Sequence, residues 1–309
     1  MPDDTFLVGY ADDIVAVITA RNTEYAQHKL TQVMTRVKKW LNSHDLKLAD
    51  EKSELLLVTR KRIPLEIDMR VGENVIRTRK DIKYLGVRLD SKLTFSSHIQ
   101  ETRKRATVTT KSLSRLMANV GGPLQSRRKL LMEVSNAIML YGCEVWAGTL
   151  ETACRSKPLL EVQRTMALRI ASAHRTVSGP AASVIGGAIP IDLIAKERKR
   201  IYEIRQARET TRALIARSRD ETLQQWQEIW AAEEKGRWTA RLIPNLVAWT
   251  ARAHGEVNYY ITQMLTGHGY FGAFLHSIGK RNDARCEYGD AEMDNEHTIF
   301  QCGKFGSAR

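Results

Sequence analysis

Two adjacent carboxylates, Asp12 and Asp13, lie between two apolar runs near the start of the sequence. The runs cover residues 6–9 and 14–18, and they predict two strands joined by a tight turn that carries both acidic side chains. Mg²⁺ prefers a few carboxylate oxygens together with waters and the phosphates of a substrate. A pair of such ions clamps the attacking and leaving oxygens of a phosphoryl transfer. The pair is therefore a candidate magnesium site, and ordinary turn chemistry is the alternative explanation for two aspartates here.

A second set of candidate metal ligands lies near the end of the sequence and consists of Cys286, His297 and Cys302. Tetrahedral zinc sites use four ligands, and a C-x-x-C pair followed by His and Cys is a usual spacing. Gly289 stands where the second cysteine of that pair would be. Three ligands predict either weak zinc binding completed by water or by Asp290, or a knuckle that no longer binds metal.

The charge balance is strongly basic. The 309 residues carry a formal net charge of +13, and the sequence pI is about 9.7. Such a balance favours an anionic partner, of which nucleic acid is the usual one, whereas a merely soluble basic protein is the alternative. The length predicts about two domains, and the hydrophobic content of 43% is sufficient for buried cores.

The candidate nucleic-acid contacts are basic residues on two predicted helices around the Gly121-Gly122-Pro123 break. Contacts to phosphates would be tolerant of sequence and would weaken steeply with salt. A solvated basic helix face is the alternative. The candidate residues are Arg103, Lys104, Arg105, Lys111, Arg115, Arg127, Arg128 and Lys129.

The compartment is predicted to be intracellular, either nucleus or cytoplasm. The acidic start of the sequence does not resemble a cationic secretory signal, and no apolar run approaches the ~20 residues of a membrane span. Four cysteines in 309 residues do not form a secreted disulfide framework. We therefore expect no membrane partner, and the sequence leaves the oligomeric state open.

The order of predicted elements indicates an α+β fold. One helical face is formed by Leu30, Val33, Met34, Val37, Trp40 and Leu41 within a helix over residues 23–45. Strands are predicted at residues 54–59, 65–71, 74–77 and 82–89, with a hairpin turn at 72–73. Helices are predicted at 98–117, 157–174 and 191–234, and residues 124–150 are predicted to form one long helix or a pair. Residues 176–190, which are rich in Ser, Gly, Ala and Pro, are predicted to form a linker.

Several of these segments together resemble the reverse transcriptases of non-LTR (LINE-type) retrotransposons, in particular the arthropod site-specific type. The matching segments lie in the same order over essentially the whole chain. They are Tyr10-Ala11-Asp12-Asp13, the segment from Leu46 to Glu54, the segment from Tyr84 to Ile99, Gly121-Gly122-Pro123 with the following basic helix, Leu140 to Ala147, and Leu265 to Gly269 before the Cys/His cluster.

The resemblance implies a domain order. Residues 1–95 would be the C-terminal part of a polymerase palm with a small antiparallel sheet, and residues 96–175 a helical thumb. After the linker, residues 191–309 would be a helical region ending in a degenerate zinc knuckle, since the similar elements have Cys where this chain has Gly289.

The function implied by the resemblance is RNA-directed DNA synthesis, with Asp12 and Asp13 holding Mg²⁺ and with an RNA template and a DNA primer as partners. Reverse transcriptases take a third metal-binding Asp from an upstream strand, and only nine residues precede Tyr10. We therefore expect this sequence to correspond to the C-terminal part of a retrotransposon polyprotein that is inactive alone. A nucleic-acid-binding module without catalysis and a non-functional relic are the alternatives.

Overall fold

The chain divides into two compact units, residues 1–98 and 99–309, and each is described by itself. The computed structural model describes residues 2–60, 66–71, 74–208, 211–289 and 291–308. No helix in these ranges is long and apolar enough to cross a lipid bilayer.

The first unit combines one long helix with three antiparallel strand pairs in its described residues. It has the mixed α and β character that the sequence predicts. Its elements are β1 (Thr5–Tyr10), β2 (Asp13–Ile18), α1 (Thr23–Asn42), a one-turn 3-10 helix (Asp50–Lys52), β3 (Asp68–Val71), β4 (Asn74–Arg77), β5 (Asp81–Tyr84) and β6 (Val87–Asp90). The pairs are β1–β2, β3–β4 and β5–β6.

Helix α1 begins where its cap allows. The Asn22 side chain accepts a hydrogen bond from the backbone N–H of Tyr25 at 2.8 Å, which satisfies one of the unpaired donors at the helix start. The predicted apolar face is largely confirmed, since Leu30, Val33, Val37 and Leu41 are buried. The placement of Trp40 on that face is wrong, because its ring is exposed and packs against His44.

The prediction of one strand over residues 82–89 is also wrong. Strands β5 and β6 form a hairpin whose two central residues, Leu85 and Gly86, both have positive φ (44° and 84°). Two such residues suit the twist of a tight hairpin. The predicted strand at residues 54–59 contributes one isolated bridge between Leu56 and Arg79. The turn predicted at residues 72–73 lies outside the described residues.

The second unit is helical. Residues 124–150, predicted to form one long helix or a pair, are divided at Gly142, which takes a left-handed conformation (φ 61°). The helices are α2 (Ser96–Ser114, which straddles the division), α3 (Gln125–Met139), α4 (Cys143–Trp146), α5 (Ala153–Ile170), α6 (Gly179–Gly186), α7 (Ile191–Gln206), α8 (Arg212–Ala232), α9 (Arg237–Leu242), α10 (Leu246–Ala251), α11 (Tyr259–Thr266) and α12 (Gly272–Ser277). Short turns of other helix types follow at Ala147–Glu151, His297–Gln301 and Gly303–Ala308.

The linker predicted at residues 176–190 is wrong, because most of that segment is helix α6 at the centre of the second unit's core. Ser178 caps the helix by accepting from the N–H of Ala181 at 3.4 Å, and Pro180 occupies its first turn. The apolar residues of α6 join the cluster that contains Trp226 and Trp230. Small residues allow a helix to approach its neighbours closely. The Ser, Gly and Ala content that is typical of loops therefore favours close helix packing in this segment.

A truncation in α6 tests this correction. Ile185 is fully buried in the core cluster, and Ile185→Ala should lower the free energy of unfolding by about 2–5 kcal/mol, the usual cost of removing a buried aliphatic side chain. Ile229→Ala, on the half-exposed side of α8, is the control and should change it by less than about 0.5 kcal/mol. Urea denaturation followed by circular dichroism measures both. Equal stability of the two variants would restore the linker prediction.

Candidate magnesium, zinc and nucleic-acid sites

The two aspartates lie at the tip of the predicted hairpin, which is confirmed. Strands β1 and β2 pair in register from Thr5 with Ile18 to Tyr10 with Asp13, leaving Ala11 and Asp12 as a two-residue turn. Ala11 has a positive φ of 53°, as a tight hairpin turn requires. Both carboxylates are exposed to solvent.

The carboxylates fit two of the oxygen ligands that Mg²⁺ uses. They are adjacent, exposed and held on a turn between paired strands. Within the described ranges, the one group of three or more close His, Cys, Asp or Glu ligands lies elsewhere, so no third side chain of this kind joins Asp12 and Asp13. The tip therefore offers part of a magnesium site and leaves further positions to other ligands.

One face of the hairpin is apolar and exposed. Phe6 and Tyr10 are 64% and 65% exposed, and Val8 and Val17 are also exposed. Ile18, at the opposite end from the aspartates, packs with the buried cluster of α1. The hairpin is therefore held at its base, while its tip extends from the described part of the unit.

The Cys/His cluster is brought together as the spacing predicts. The ligand atoms of Cys286, His297 and Cys302 all lie within 4.8 Å of one another, and the two sulfur atoms are 3.6 Å apart. Both cysteines are buried, and the buried Nε2 of His297 has no hydrogen-bond partner among the described residues. Two thiols and an imidazole nitrogen that lie this close together fit three ligands of a zinc ion.

The fourth position of the cluster is open. Gly289 is exposed, and a Cβ atom built on it meets no atom within 4 Å. A cysteine side chain can therefore be accommodated there. The predicted alternative ligand, Asp290, lies outside the described residues.

The Cys/His segment packs on the rest of the helical unit. Glu296, next to His297, forms a two-pronged ion pair with Arg241 of α9 at 2.9 and 3.1 Å. The hydrogen bonds and charge of Arg241 lower the pKa of the Glu296 carboxyl, and Glu296 raises the pKa of Arg241 in return. Gly267, after α11, allows close approach of the Asn295 side chain, which any Cβ atom there would strike. The knuckle is therefore docked on its unit.

The basic residues of α2 lie on its solvent-facing side. Lys104, Arg105 and Lys111 are exposed, opposite the buried Thr102 and Ala106, and Arg115 is exposed directly after the helix ends. Arg103 is only partly exposed, and it forms an ion pair with Glu161 of α5 at 2.8 Å. An accessible basic face is therefore present on α2, as the sequence predicts, and Arg103 is partly withdrawn from it by its ion pair.

Arg128 does not suit the role predicted for it. Only 2% exposed, it donates hydrogen bonds to the carbonyls of Pro123 (2.7 Å), Arg169 (3.0 Å) and Ala118. Burial lowers the pKa of its guanidinium. The sequence contained a signal for this placement, because Arg128 lies four residues before the buried Met132 on the inner face of α3.

The two basic neighbours of Arg128 point to different sides. Residues two apart on an α-helix are separated by about 200° around its axis, so Arg127 and Lys129 share no face. Partial burial and repulsion from Arg252 lower the pKa of Lys129, while Glu256 acts in the opposite direction. Arg127 and Lys129 are both exposed to solvent, so each remains a candidate for phosphate contact.

Comparisons with known proteins show which sequences this chain is similar to. Residues 2–89 match the family model of the reverse transcriptase (RNA-dependent DNA polymerase), which includes the aspartate hairpin. A putative 115 kDa protein in type-1 retrotransposable element R1DM of Drosophila melanogaster is 28% identical over 98% of this chain. A retrovirus-related Pol polyprotein from type-1 retrotransposable element R1 2 of Nasonia vitripennis is 25% identical over 97% of it. No solved structure matches significantly.

The predicted resemblance to non-LTR retrotransposon reverse transcriptases is thus confirmed. A probable RNA-directed DNA polymerase from transposon BS of Drosophila melanogaster is also similar, with 26% identity over 47% of the chain. The chain spans 31% of the length of the Drosophila R1 protein and 78% of the Nasonia protein.

Restoring the missing thiolate tests the knuckle. We expect the natural chain to bind Zn²⁺ weakly or not at all, and Gly289→Cys to bind it tightly, because a fourth ligand would complete the tetrahedral set. Gly306→Cys is the control, since its Cβ is equally unobstructed but its spacing does not match. Zinc content is measured after dialysis against a mild chelator. Stoichiometric zinc in the natural chain would contradict the prediction.

Proposed function

We propose that this chain is part of an RNA-directed DNA polymerase. The aspartate hairpin would contribute to the catalytic palm, α2 and α3 to a thumb, and the C-terminal helices and knuckle to a further nucleic-acid-binding region. The observation that carries the proposal is the exposed Asp12–Asp13 tip, which lies within the residues that match the reverse transcriptase model.

In the parent enzyme, Asp12 and Asp13 would each place a carboxylate oxygen beside the growing end of the primer. Mg²⁺ bound there would neutralise charge on the phosphates and stabilise the attacking and leaving oxygens. The paired strands keep the two carboxylates on a short turn, and this limits their movement. Further oxygen ligands and the positioning of the nucleotide must come from residues other than those described near the tip.

The exposed face of α2 supports the proposed thumb. Lys104, Arg105, Lys111 and Arg115 carry four positive charges along this helix and its C-terminal end, and duplex nucleic acid presents phosphates along its length. Such contacts fix position and contribute salt-dependent affinity without reading sequence. The reverse transcriptase family implies an RNA template and a DNA primer as the duplex.

A binding module without catalysis is the second candidate. It is favoured by the accessible basic face together with the absence, in the described ranges, of a third side-chain ligand beside Asp12 and Asp13. The two candidates predict different results when this chain replaces the matching segment of a longer polymerase. Substitution of Asp12 should abolish DNA synthesis if the chain is part of the polymerase, and a binding module without catalysis predicts no such loss.

The first experiment concerns catalysis. The chain alone should not extend a primer, since two carboxylates hold Mg²⁺ loosely and do not orient a nucleotide. Exchanged for the matching segment of the Drosophila R1 protein, the natural segment should support extension and Asp12→Asn should reduce it to background. Asp45→Asn, an exposed substitution in the same unit, is the control. Extension by the isolated chain that disappears in Asp12→Asn would contradict the first statement, and activity of the Asp12→Asn chimera would contradict the second.

The second experiment concerns binding. Replacing Lys111, Arg115 and Arg127 with Gln should flatten the log–log salt dependence of binding to an RNA–DNA duplex by about two to three units, nearly one for each phosphate that is no longer neutralised. The matched control replaces Arg205, Arg208 and Arg212, which are exposed around the end of α7 and the start of α8. Fluorescence anisotropy at several salt concentrations gives the slopes. Equal slopes in the two variants would mean that only net charge matters.

A further inference from the structure

Lys29 is a buried lysine whose ammonium binds main-chain oxygens. The side chain is 6% exposed, and its Nζ donates to the carbonyl of Asp3 at 2.6 Å and to the carbonyl of Thr19 at 3.0 Å. It also lies 5.2 Å from the centre of the Tyr25 ring. A lysine ammonium has three N–H donors; the two carbonyls take two of them, and the Tyr25 ring lies within cation–π distance of the ammonium.

The two carbonyls that Lys29 binds flank the open end of the aspartate hairpin. Asp3 precedes β1, and Thr19 follows β2. The hydrogen bond from the N–H of Thr19 to the carbonyl of Asp4, at 3.1 Å, extends the strand pairing to this end. A single ammonium on α1 therefore joins both strands of the hairpin to the helix.

The orientation of the hairpin at its base determines where the turn with the two aspartates lies. Six-residue strands span about 20 Å, so a tilt of about 10° at the base moves the turn by about 3 Å. A misplacement of about 1 Å is enough to reduce catalysis strongly. The exposed apolar face of the hairpin supplies little other restraint, since packing in the described residues is concentrated at Ile18.

We infer that Lys29 is a positioning residue for Asp12 and Asp13, which it serves by clamping both ends of the β1–β2 hairpin to α1. The inference rests on the proposed function only in assigning the two aspartates to a divalent cation. Lys29 touches neither carboxylate, and it acts through the main chain of the hairpin.

Helix α1 anchors a second strand pair in a similar manner. The Gln27 side chain donates to the carbonyl of Arg70 and accepts from its N–H, both at 2.8 Å. Arg70 belongs to β3, so one turn of α1 holds the main chain of two different strand pairs. This repeated use of side chains near the start of α1 supports a role for the helix in fixing the sheet elements.

The chemistry of the site explains why a lysine is suited to it. A buried ammonium is costly unless its donors are paired, and two carbonyls and an aromatic ring provide that pairing. Methionine has a similar length and no donors. Lys29→Met would therefore preserve most of the packing and leave two carbonyls unpaired.

Hydrogen exchange of the full chain tests the clamp. In Lys29→Met, amides of residues 5–18 should exchange roughly ten-fold faster or more, because a charge-assisted tie to both strand ends is removed. Lys39→Met, which removes an exposed lysine from the same helix, should leave exchange unchanged, and peptides from α5 and α7 serve as internal references. Unchanged exchange of residues 5–18 in Lys29→Met would overturn the inference.

Titration with Mn²⁺ tests the positioning of the carboxylates. Paramagnetic broadening of the amide signals of residues 11–14 should require Asp12 and Asp13, and it should need several-fold more Mn²⁺ in Lys29→Met than in Lys39→Met. Faster exchange with an unchanged Mn²⁺ requirement would overturn positioning. Absence of broadening in the natural chain would count against the proposed magnesium site, and the exchange result would then decide on the clamp alone.

Discussion

Main-chain carbonyls that lie outside regular strands and helices must find donors, and in this chain buried cationic side chains supply them. Lys29 satisfies carbonyls at the two ends of the aspartate hairpin, and Arg128 satisfies carbonyls around the turn between α2 and α3. Each cation donates to carbonyls where a regular element ends. In the inference drawn above, the orientation of the aspartate tip depends on such a tie.

This use of cations changes what the net charge of +13 means. Lys29 and Arg128 are buried and donate to main-chain carbonyls, so they are not accessible to phosphates. Arg103 and Arg241 form ion pairs with acidic partners. The positive charge available to phosphates is therefore smaller than the composition suggests. It is concentrated where several basic residues lie on the exposed side of one helix, as on α2.

Local patterns predicted the parts of the structure that local physics determines. The hairpin followed from apolar runs around Asp12 and Asp13, and α1 from its apolar spacing. The three knuckle ligands meet as their spacing indicated. Two of the errors concern contacts that no local pattern specifies, because the role of α6 depends on close packing of small residues, and that of Arg128 on the carbonyls of the α2–α3 turn and of Arg169 in α5. Neither the packing of α6 nor the hydrogen bonding of Arg128 can be predicted from composition or from runs of charge.

The exposed hairpin also bears on how molecules of this chain meet one another. In the described part of the first unit, β1 and β2 pair only with each other, so each strand has an outer edge of unpaired peptide groups next to Phe6, Val8 and Tyr10. Such edges add strands from other molecules readily. When this chain is produced by itself, its solubility should therefore be limited by edge-to-edge strand addition at the hairpin, despite the repulsion that a basic protein normally provides.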